Sequence, residues 1–379
     1  MYFNDCIDVS WYNYRNCGIM KKILKHLLVF SLCLYMCLSS VTPVSAYTIK
    51  VNSTKYGYST LSKGDKKIYK KILVSINDMS KRVDFPKYKN TKHLFDLYKI
   101  VLADNPDIFW LDSKVSSYIY TSNNKVVKSS LGFNYTYSKA KKEKVQKKIE
   151  TKTAKILKNM PKSDDYAKAK YLYETVADLV EYDDYDTNNS KYQQMVSALL
   201  NGESVCAGYT KMYNYLLQKA GLQAMYVSGK VYGQSHAWSL VRVNGQYYYS
   251  DVTFGDKEGK DLSYHDYTYF LEPLSDMSKD HVLNKSLVKL PSAKKTDYEY
   301  FQYEDLYFTK FAKEERAWVD EKLNEDNEDM GTFQIKCNVE YICKAFRNYL
   351  YTKNNVIGIS VDDDRQVMTV FYENLSSDS

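Results

Sequence analysis

Apolar residues recur at helical spacing in the first third of the chain, and residues 65–110 are predicted to be helical. The repeat is clearest at Leu94, Leu97, Tyr98, Val101 and Leu102. Asn105-Pro106-Asp107 ends this pattern, because proline lacks the N–H that a helix interior needs. The apolar run Ile108-Phe109-Trp110-Leu111 follows as a predicted anchor in the core.

Alternating and periodic patterns continue through the next segment. Residues 118–137 are predicted to form two strands around the turn Ser122-Asn123-Asn124, and residues 139–159 a lysine-rich helix with a solvated face. Ser163-Asp164-Asp165 is a predicted helix start, because a capping residue followed by acidic groups suits the positive end of the helix dipole. The helix that follows should end in the acidic segment 181–186.

A further helix is predicted to begin near Cys206 and to end at Gly221, where a left-handed terminal residue is favoured. Its apolar face is formed by Tyr209, Met212, Tyr213, Leu216, Leu217 and Ala220. Three strands should follow at about 223–231, 236–243 and 246–254. Asn244-Gly245 lies between the last two and is a strong signal for a tight hairpin turn.

The C-terminal residues form a separate pattern from about residue 296. Strands are predicted at 307–311, 332–337, 356–361 and 366–372, and helices at 314–323 and 339–351. Such alternation indicates a small α+β unit with helices on one sheet. The predicted organisation is therefore a signal peptide at 1–46, a helical and β N-terminal region at 47–159, a catalytic domain at 160–295 and this C-terminal domain at 296–379.

The composition is that of a globular protein, with 379 residues of which 44% are hydrophobic. The formal net charge of +7 is spread along the chain. It forms no basic stripe of the kind that marks a nucleic-acid-binding protein, so nucleic acid is not an expected partner.

The N-terminus has the pattern of a secretory signal peptide. Lys21, Lys22 and Lys25 precede an uncharged apolar run at 27–38, and Val44-Ser45-Ala46 resembles a cleavage site. Met20 is a possible true start. We expect the mature protein to begin near Tyr47, to be secreted or associated with the cell wall, and to have no stable membrane span after the signal is removed.

Cys206 stands out among the three cysteines that follow the signal, because it opens a helix. Unpaired N–H groups and partial positive charge at a helix start favour a thiolate and can stabilise an oxyanion. Gly208 would leave room for a close neighbour. A small buried cysteine on an amphipathic helix is the alternative, and it is also the more common fate of Cys337 and Cys343.

The hairpin places a histidine and an aspartate together. If Asn244-Gly245 is a two-residue turn, Trp238 lies opposite Asp251 and His236 opposite Thr253. His236 and Asp251 would then share one face of the sheet as diagonal neighbours, about 7–8 Å apart at the backbone. An imidazole and a carboxylate can form a hydrogen bond across that distance.

Three segments around these residues resemble the signature blocks of the transglutaminase-like superfamily. They are Gly202-Glu203-Ser204-Val205-Cys206-Ala207-Gly208-Tyr209, His236-Ala237-Trp238 and Tyr248-Tyr249-Ser250-Asp251-Val252-Thr253-Phe254. The resemblance extends over about 160–285, with Tyr269-Phe270-Leu271, Met277 and His281 downstream. Many bacterial relatives have Asn where this chain has Ser239 and Trp where it has Phe254.

This resemblance implies an α+β fold with a papain-like, transglutaminase-like core, in which the cysteine-bearing helix packs on an antiparallel sheet. It implies a triad of Cys206 as nucleophile, His236 as base and Asp251 as the group that orients the base. The reaction would be acyl transfer from a peptide or carboxamide carbonyl through a thioester. Gln193 or Gln194 is conceivable as an oxyanion donor, although a surface role is the more common one.

Several alternatives remain open at this stage. The triad serves hydrolysis and protein crosslinking equally, and the substrate is expected to be a protein or peptide, with cell-wall association as one option. A catalytically silent binding module at the cell surface or wall would use the same fold. No cofactor and no metal is expected, since metal-ligand spacing is absent and His93, His265 and His281 are scattered; a zinc site at Cys206 and His236 is the minor alternative.

Overall fold

The computed structural model describes residues 54–183, 191–258, 263–324 and 330–373. The predicted signal peptide at 1–46 and the acidic residues 184–186 lie outside these ranges. Secretion therefore stays a prediction. Along the described ranges the chain is a mixture of helices and antiparallel strands, which confirms the predicted α+β class.

The N-terminal region begins with helices α1 (Tyr56–Thr60) and α2 (Lys63–Asn77), followed by strand β1 (Arg82–Pro86) and helix α3 (Thr91–Asp104). The prediction of continuous helix over 65–110 was wrong at β1. Met79 has a φ of 57°, a left-handed conformation that ends the helix. Val83 and Phe85 then alternate into the core, as in a half-buried strand.

The predicted strand pair is present as β2 (Leu111–Ser122) and β3 (Lys125–Tyr135), and it continues into helix α4 (Lys139–Asn159). Asn123 and Asn124 both have positive φ, which the two-residue hairpin turn requires. The sheet order is β1-β3-β2. The predicted anchor at 108–111 is buried.

Helix α5 (Asp165–Leu179) begins as predicted, with the Asp164 side chain accepting a hydrogen bond from the Ala167 N–H. A short strand β4 (Glu181–Tyr182), a π-helical turn (Ser197–Asn201) and strand β5 (Glu203–Ser204) lead to helix α6 (Cys206–Lys219). Gly221 beyond its end has a φ of 93°, so the predicted left-handed terminus is confirmed.

The sheet against α6 contains β6 (Gln223–Val231), β7 (Gln234–Val243) and β8 (Gln246–Ser250). The predicted third strand was too long, because helix α7 (Val252–Gly255) begins directly after Asp251. The Asp251 carboxylate accepts a hydrogen bond from the Thr253 N–H and so caps this helix. Strands β9 (Asp256–Glu258) and β10 (Ser263–His265) form a small antiparallel pair beyond it.

A 3₁₀ turn (Tyr267–Tyr269), helix α8 (Leu274–Met277) and strand β11 (His281–Leu283) complete this part of the chain. β11 pairs antiparallel with β6, so the sheet order is β11-β6-β7-β8. This pairing returns a segment thirty residues downstream of Asp251 to the edge of the sheet that carries His236.

The C-terminal residues form the predicted layers of helices on one sheet. The elements are α9 (Tyr300–Tyr303), β12 (Tyr307–Phe308), α10 (Lys313–Leu323), β13 (Met330–Cys337), α11 (Glu340–Leu350), β14 (Val356–Asp362) and β15 (Val367–Glu373). The sheet order is β12-β13-β15-β14; the β12–β13 pair is parallel, and β15 pairs antiparallel with both β13 and β14.

Two hydrophobic cores hold these elements. The larger extends from Tyr56 to Ala293 and unites the N-terminal helices with the α6 sheet, and Tyr298 and Tyr300 pack against it. The smaller lies between the C-terminal sheet and its helices. The predicted domain boundaries remain predictions. Within the described ranges, none of the helices has the length and hydropathy needed to cross a bilayer.

Candidate active site

Cys206 is the first residue of α6 and is half-buried, with a free thiol. Val205, the residue before the helix, provides no side-chain cap. The N–H groups of the first turn of a helix have no partner within the helix. In α6 the Gly208 N–H donates to the Val205 carbonyl at 2.8 Å, so the N–H groups of Cys206 and Ala207 are the ones that can serve an anion beside the Cys206 sulfur.

The turn before the helix is held by a close contact at Gly208. A methyl group there would lie 1.8 Å from Ser204 Oγ and 3.0 Å from the Tyr192 carbonyl oxygen. The Ser204 hydroxyl itself donates a short hydrogen bond to that carbonyl. The absence of a side chain at Gly208 lets strand β5 lie against the start of α6. This close packing fixes the orientation of the first helical residue, Cys206, relative to β5.

The hairpin register matches the prediction along its whole ladder. Val243 lies opposite Gln246 and Ser239 opposite Ser250, with Asn244-Gly245 as the turn. The ladder ends at the Ser239–Ser250 pair. The expected pairing of His236 with Thr253 was therefore wrong, because Thr253 belongs to α7. His236 is paired on its other side with Gly229 of β6.

His236 and Asp251 nevertheless meet. His236 Nε2 lies 2.5 Å from Asp251 Oδ2. The other carboxylate oxygen, Oδ1, accepts from the Thr253 N–H at 3.0 Å, and the Asp251 N–H donates to the Tyr269 carbonyl at 2.9 Å. Asp251 is fully buried and held at both ends. The predicted contact between these two side chains is thus present in the structure.

The environment makes this pair an ion pair. Burial would raise the pKa of Asp251, but the charge and hydrogen bond of His236 hold it well below its ordinary 3.8. Burial would lower the pKa of His236, but the charge and hydrogen bond of Asp251, with a further contribution from Cys206, raise it from 6.5 to about 10. The imidazole is therefore protonated at neutral pH.

Cys206 lies close enough to His236 to contribute to the rise in the His236 pKa, so the start of α6 lies beside the hairpin. Because Nε2 of His236 faces Asp251, Nδ1 is the nitrogen left for the thiol. The structure thus shows the contact of His236 with Asp251, with Cys206 in their vicinity. Their catalytic role remains a prediction.

A fourth residue, His281, also belongs to this cluster, and its assignment as a scattered histidine was wrong. His281 Nε2 lies 3.0 Å from Asp251 Oδ2, and its other nitrogen donates to Asp280. It lies on β11, which reaches the site only because β11 pairs with β6. The one sequence signal was its position after Met277 in the stretch that resembles the superfamily.

Aromatic side chains surround the two imidazoles. Trp238 is fully buried and its ring meets that of His281 edge-to-face at 4.8 Å. Phe254, which stands where many relatives have tryptophan, packs on His236 at 5.1 Å and on Tyr269 at 5.0 Å. Ser239, which stands where many relatives have asparagine, is buried. The low-dielectric surroundings strengthen the ion pair inside them.

His236, Asp251 and His281 have ligand atoms within 4.8 Å of one another, a spacing that could hold a metal ion. In this arrangement Nε2 of each imidazole is occupied by a hydrogen bond to Asp251 Oδ2. The side chains therefore fit an ion-pair network better than a metal centre. The minor alternative, zinc between Cys206 and His236, would use Nδ1 of His236 and stays untested.

A cavity of about 320 Å³ is lined in part by Lys211 and Tyr226, two residues that interact electrostatically with Cys206, while Cys206, His236 and Asp251 are not among its lining residues. Three lysines line it (Lys99, Lys211 and Lys285), together with Met225, Tyr226, Val227, Leu283 and Leu290. Burial lowers the pKa of Lys211 to about 8, while the nearby Cys206 partly offsets this. The Lys211 amine donates to the Gln193 carbonyl at 2.6 Å. An oxyanion role for the amide of Gln193 or Gln194 stays a prediction.

The other two described cysteines differ from Cys206. Cys337 and Cys343 are buried and free, as the more common outcome predicted. The neighbouring Cys343 and burial raise the pKa of Cys337. Cys337 lies on β13 and Cys343 on α11, both among the C-terminal elements.

Comparison with known proteins bears on the central region. Residues 154–252 match the family model of the Transglutaminase-like superfamily. Among curated proteins there is no match. A TGase crystal structure is 16% identical over 47% of this chain and 52% of its own, with a TM-score of 0.29.

Two further solved structures are similar at a comparable level. A proposed cysteine protease from Cytophaga hutchinsonii is 12% identical over 46% of this chain and 66% of its own, with a TM-score of 0.25. A proposed protease from Parabacteroides distasonis is 10% identical over 69% and 61%, with a TM-score of 0.22. The chain spans between about half and two thirds of the length of these structures. The matched segment 154–252, which is similar to the Transglutaminase-like superfamily, carries Cys206, His236 and Asp251.

Proposed function

We propose that this protein is a thiol-dependent acyl-transfer enzyme that acts on peptide or carboxamide carbonyls. The observation that carries the proposal is the contact of His236 with Asp251 beside the Cys206 thiol, which lies at the start of α6 and close enough to influence the His236 pKa. A nucleophile, a base within hydrogen-bond reach and a third group that orients the base are the parts that covalent acyl transfer needs.

The first half of the reaction forms a thioester. The Cys206 sulfur attacks the carbonyl carbon, and the oxygen takes up the negative charge beside the uncapped N–H groups of α6. The C–N bond then breaks as the protonated His236 gives its proton to the departing nitrogen. Asp251 keeps the imidazole ring in the orientation that serves both the sulfur and the leaving group.

The second half resolves the thioester with water or an amine. Neutral His236 takes a proton from the attacking molecule, the C–S bond breaks, and the Cys206–His236 pair is restored. Water gives hydrolysis, while a primary amine gives a crosslink. The chemistry at the triad is identical in both cases, so the choice depends on which acceptor reaches the site.

If substrate reaches Cys206 across the cavity that Lys211 and Tyr226 line, the charge of this cavity favours a carboxylate-bearing acyl donor and disfavours a lysine acceptor. Its charged lining residues are Lys99, Lys211 and Lys285, and its other walls are largely apolar. A substrate with an apolar segment and an acidic group would complement it, whereas a cationic lysine side chain would meet like charge. We therefore favour hydrolysis, with export to the cell exterior or wall as a further proposal from the N-terminal pattern.

The test of the function is the selectivity of a mild thiol-directed electrophile. Iodoacetamide at neutral pH should label Cys206 before Cys337 and Cys343, as read by intact mass and peptide mapping, and His236→Ala should slow the labelling. With a protein substrate, wild type but not Cys206→Ala should release new termini or ammonia. Equal labelling of Cys206 and Cys337 in the folded protein would instead favour the catalytically silent binding module.

A further inference from the structure

Asp251 is shared by two imidazoles, although acyl transfer requires only one. Its Oδ2 atom lies 2.5 Å from His236 Nε2 and 3.0 Å from His281 Nε2. The side chain of His281 is completely buried. A buried ionisable group that faces the proposed catalytic aspartate needs an explanation beyond packing.

Both nitrogens of His281 face carboxylates. Nε2 faces Asp251, and Nδ1 faces Asp280 Oδ1 at hydrogen-bond distance. Each contact requires an N–H on the ring, so both are satisfied at once only by an imidazolium. Burial would lower the pKa of His281, but the hydrogen bonds to Asp251 and Asp280 outweigh it and raise the pKa.

Asp280 is in turn held by a residue of the C-terminal sheet. Arg365, in the turn between β14 and β15, donates from Nη2 to Asp280 Oδ1 at 2.7 Å. Tyr269 donates to the other oxygen of Asp280 at 2.8 Å, and the Arg365 guanidinium lies 4.5 Å from the centre of the Tyr269 ring. The Arg365 side chain is 2% exposed, so its charge acts in a low-dielectric environment.

These contacts form one path from Arg365 through Asp280 and His281 to Asp251 and His236. We propose that His281 is a positioning residue of the active site, and that Arg365 of the C-terminal sheet supports it through Asp280. The proposal rests on the proposed function. It assigns the C-terminal unit a part in aligning the triad.

Two consequences follow from the geometry. Two donors on Oδ2 and one on Oδ1 leave the Asp251 carboxylate no freedom to rotate away from His236. The positive charge of His281 also partly neutralises the negative charge of Asp251, which lowers the pKa of His236 relative to an Asp251 that faced His236 alone. His236 therefore releases its proton to the leaving group more readily. The first effect alters rate, and the second alters the dependence of rate on pH.

A competing explanation is that the path simply joins the C-terminal sheet to the rest of the molecule. Lys336 of β13 provides the matched control, because it crosses the same boundary without contacting His281. Its amine lies 2.8 Å from Asp276, 3.2 Å from Glu299 and 3.7 Å from Glu272. Lys336→Gln should therefore weaken the contact between the C-terminal sheet and the rest of the molecule, and it should leave the active site aligned.

The experiment measures the rate of Cys206 alkylation by iodoacetamide against pH, together with turnover, at a temperature where all variants remain folded. Arg365→Gln and His281→Gln should lower turnover by roughly tenfold, the lower end of the effect of partners that orient an active-site ligand. In His281→Gln the alkaline limb of the profile should move to higher pH. Lys336→Gln should lower the melting temperature while its profile superimposes on that of wild type.

Each outcome decides a different point. If His281→Gln and Arg365→Gln fold and keep the wild-type profile, or if Lys336→Gln alters the profile as much as they do, the path is structural and the inference is wrong. Arg365→Lys, which keeps a charge near Asp280, should recover part of the lost turnover. If wild-type Cys206 labels no faster than Cys337, it is the proposed function that fails, and this is visible before any variant is made.

Discussion

Among single residues, Asp251 has the most constrained side chain near the thiol, and its ion pair with His236 gives stability a specific pH dependence. The pKa of Asp251 is lowered from 3.8, so its contribution is present above pH 3.8 and is lost as pH falls through the lower folded value. The pKa of His236 is raised from 6.5, so its contribution is present below pH 6.5 and is lost as pH rises through the higher folded value. Both contributions are complete between those two values.

Asp251→Asn should therefore destabilise the fold most between about pH 4 and 6.5, and less at either extreme. The expected loss in that window is about 1.5–3 kcal/mol, the usual worth of a charged hydrogen bond. Thermal melting at a series of pH values measures it. Asp96→Asn, which breaks an exposed pair with Lys92, is the control and should change little. A pH-independent difference for Asp251→Asn would contradict the ion pair.

The rim of the cavity allows a test of substrate charge. Lys99 and Lys285 are exposed lining residues, and neither contacts the Cys206–His236–Asp251 cluster. The double variant Lys99→Glu, Lys285→Glu should raise KM for acidic peptides by about tenfold, equivalent to about 1.4 kcal/mol, while kcat stays unchanged. A neutral peptide of the same length serves as the comparison. An equal effect on both peptides would show that the cavity does not bind the acidic group.

The sequence identified three of the four residues in this cluster, and the reason is local. Cys206 was marked by its place at a helix start, and His236 and Asp251 by a hairpin whose turn fixes their register. His281 could not be found this way, because no local rule relates it to Asp251. It is brought there by the pairing of β11 with β6, which depends on how the whole sheet is assembled.

At the level of elements, the junction of β5 and α6 is the most tightly built. Gly208 has no room for a methyl group beside Ser204. Gly208→Ala should cost about 1–3 kcal/mol through overpacking and should also slow Cys206 alkylation, because the start of α6 must shift. Gly64→Ala on α2 is the matched control. Its nearest neighbour would be 3.8 Å away, so it should stabilise by about 0.4–1 kcal/mol.

Chemical denaturation and alkylation rates measured on both glycine variants separate the two effects. A loss of stability at Gly208→Ala with unchanged alkylation would mean that the contact supports the fold and not the position of Cys206. Stabilisation of Gly208→Ala similar to that of Gly64→Ala would contradict the close approach of the two elements.

The predicted secondary structure was wrong where the conformation of a short segment depends on the residues that it contacts. Strand β1 is five residues long and forms because Val83 and Phe85 enter the core beside β3, although its neighbours are helices. Strand β8 ends four residues earlier than expected because Asp251 uses its carboxylate to cap α7. Long periodic segments such as α4 were predicted at their observed bounds, since their own repeat is enough to define them.

At the scale of the whole molecule, the elements of the C-terminal unit were predictable from their periodicity, but the contact of Arg365 with Asp280 was not. It joins residues 85 apart in sequence across the boundary of two hydrophobic cores. The same boundary contains Lys336 among Glu272, Asp276 and Glu299. Burying a charged side chain costs free energy unless it is paired. The ion pairs at this boundary therefore couple the stability of the two cores.

Lys336 is the residue whose loss should uncouple the two cores. Its side chain is 8% exposed, and Glu272 beside it is fully buried, where burial raises the pKa of that carboxyl to about 8 despite Lys336 and Arg365. Lys336→Gln would leave buried carboxylates short of one positive charge, at an expected cost of about 3–5 kcal/mol. Calorimetry should show one transition for wild type and an earlier, separate transition for the C-terminal core in the variant. Lys310→Gln removes an exposed pair with Glu314 and should change stability little, with one transition retained. If Lys336→Gln also melts in a single step at the wild-type temperature, the charges at this boundary do not couple the cores, and apolar contact alone holds them together.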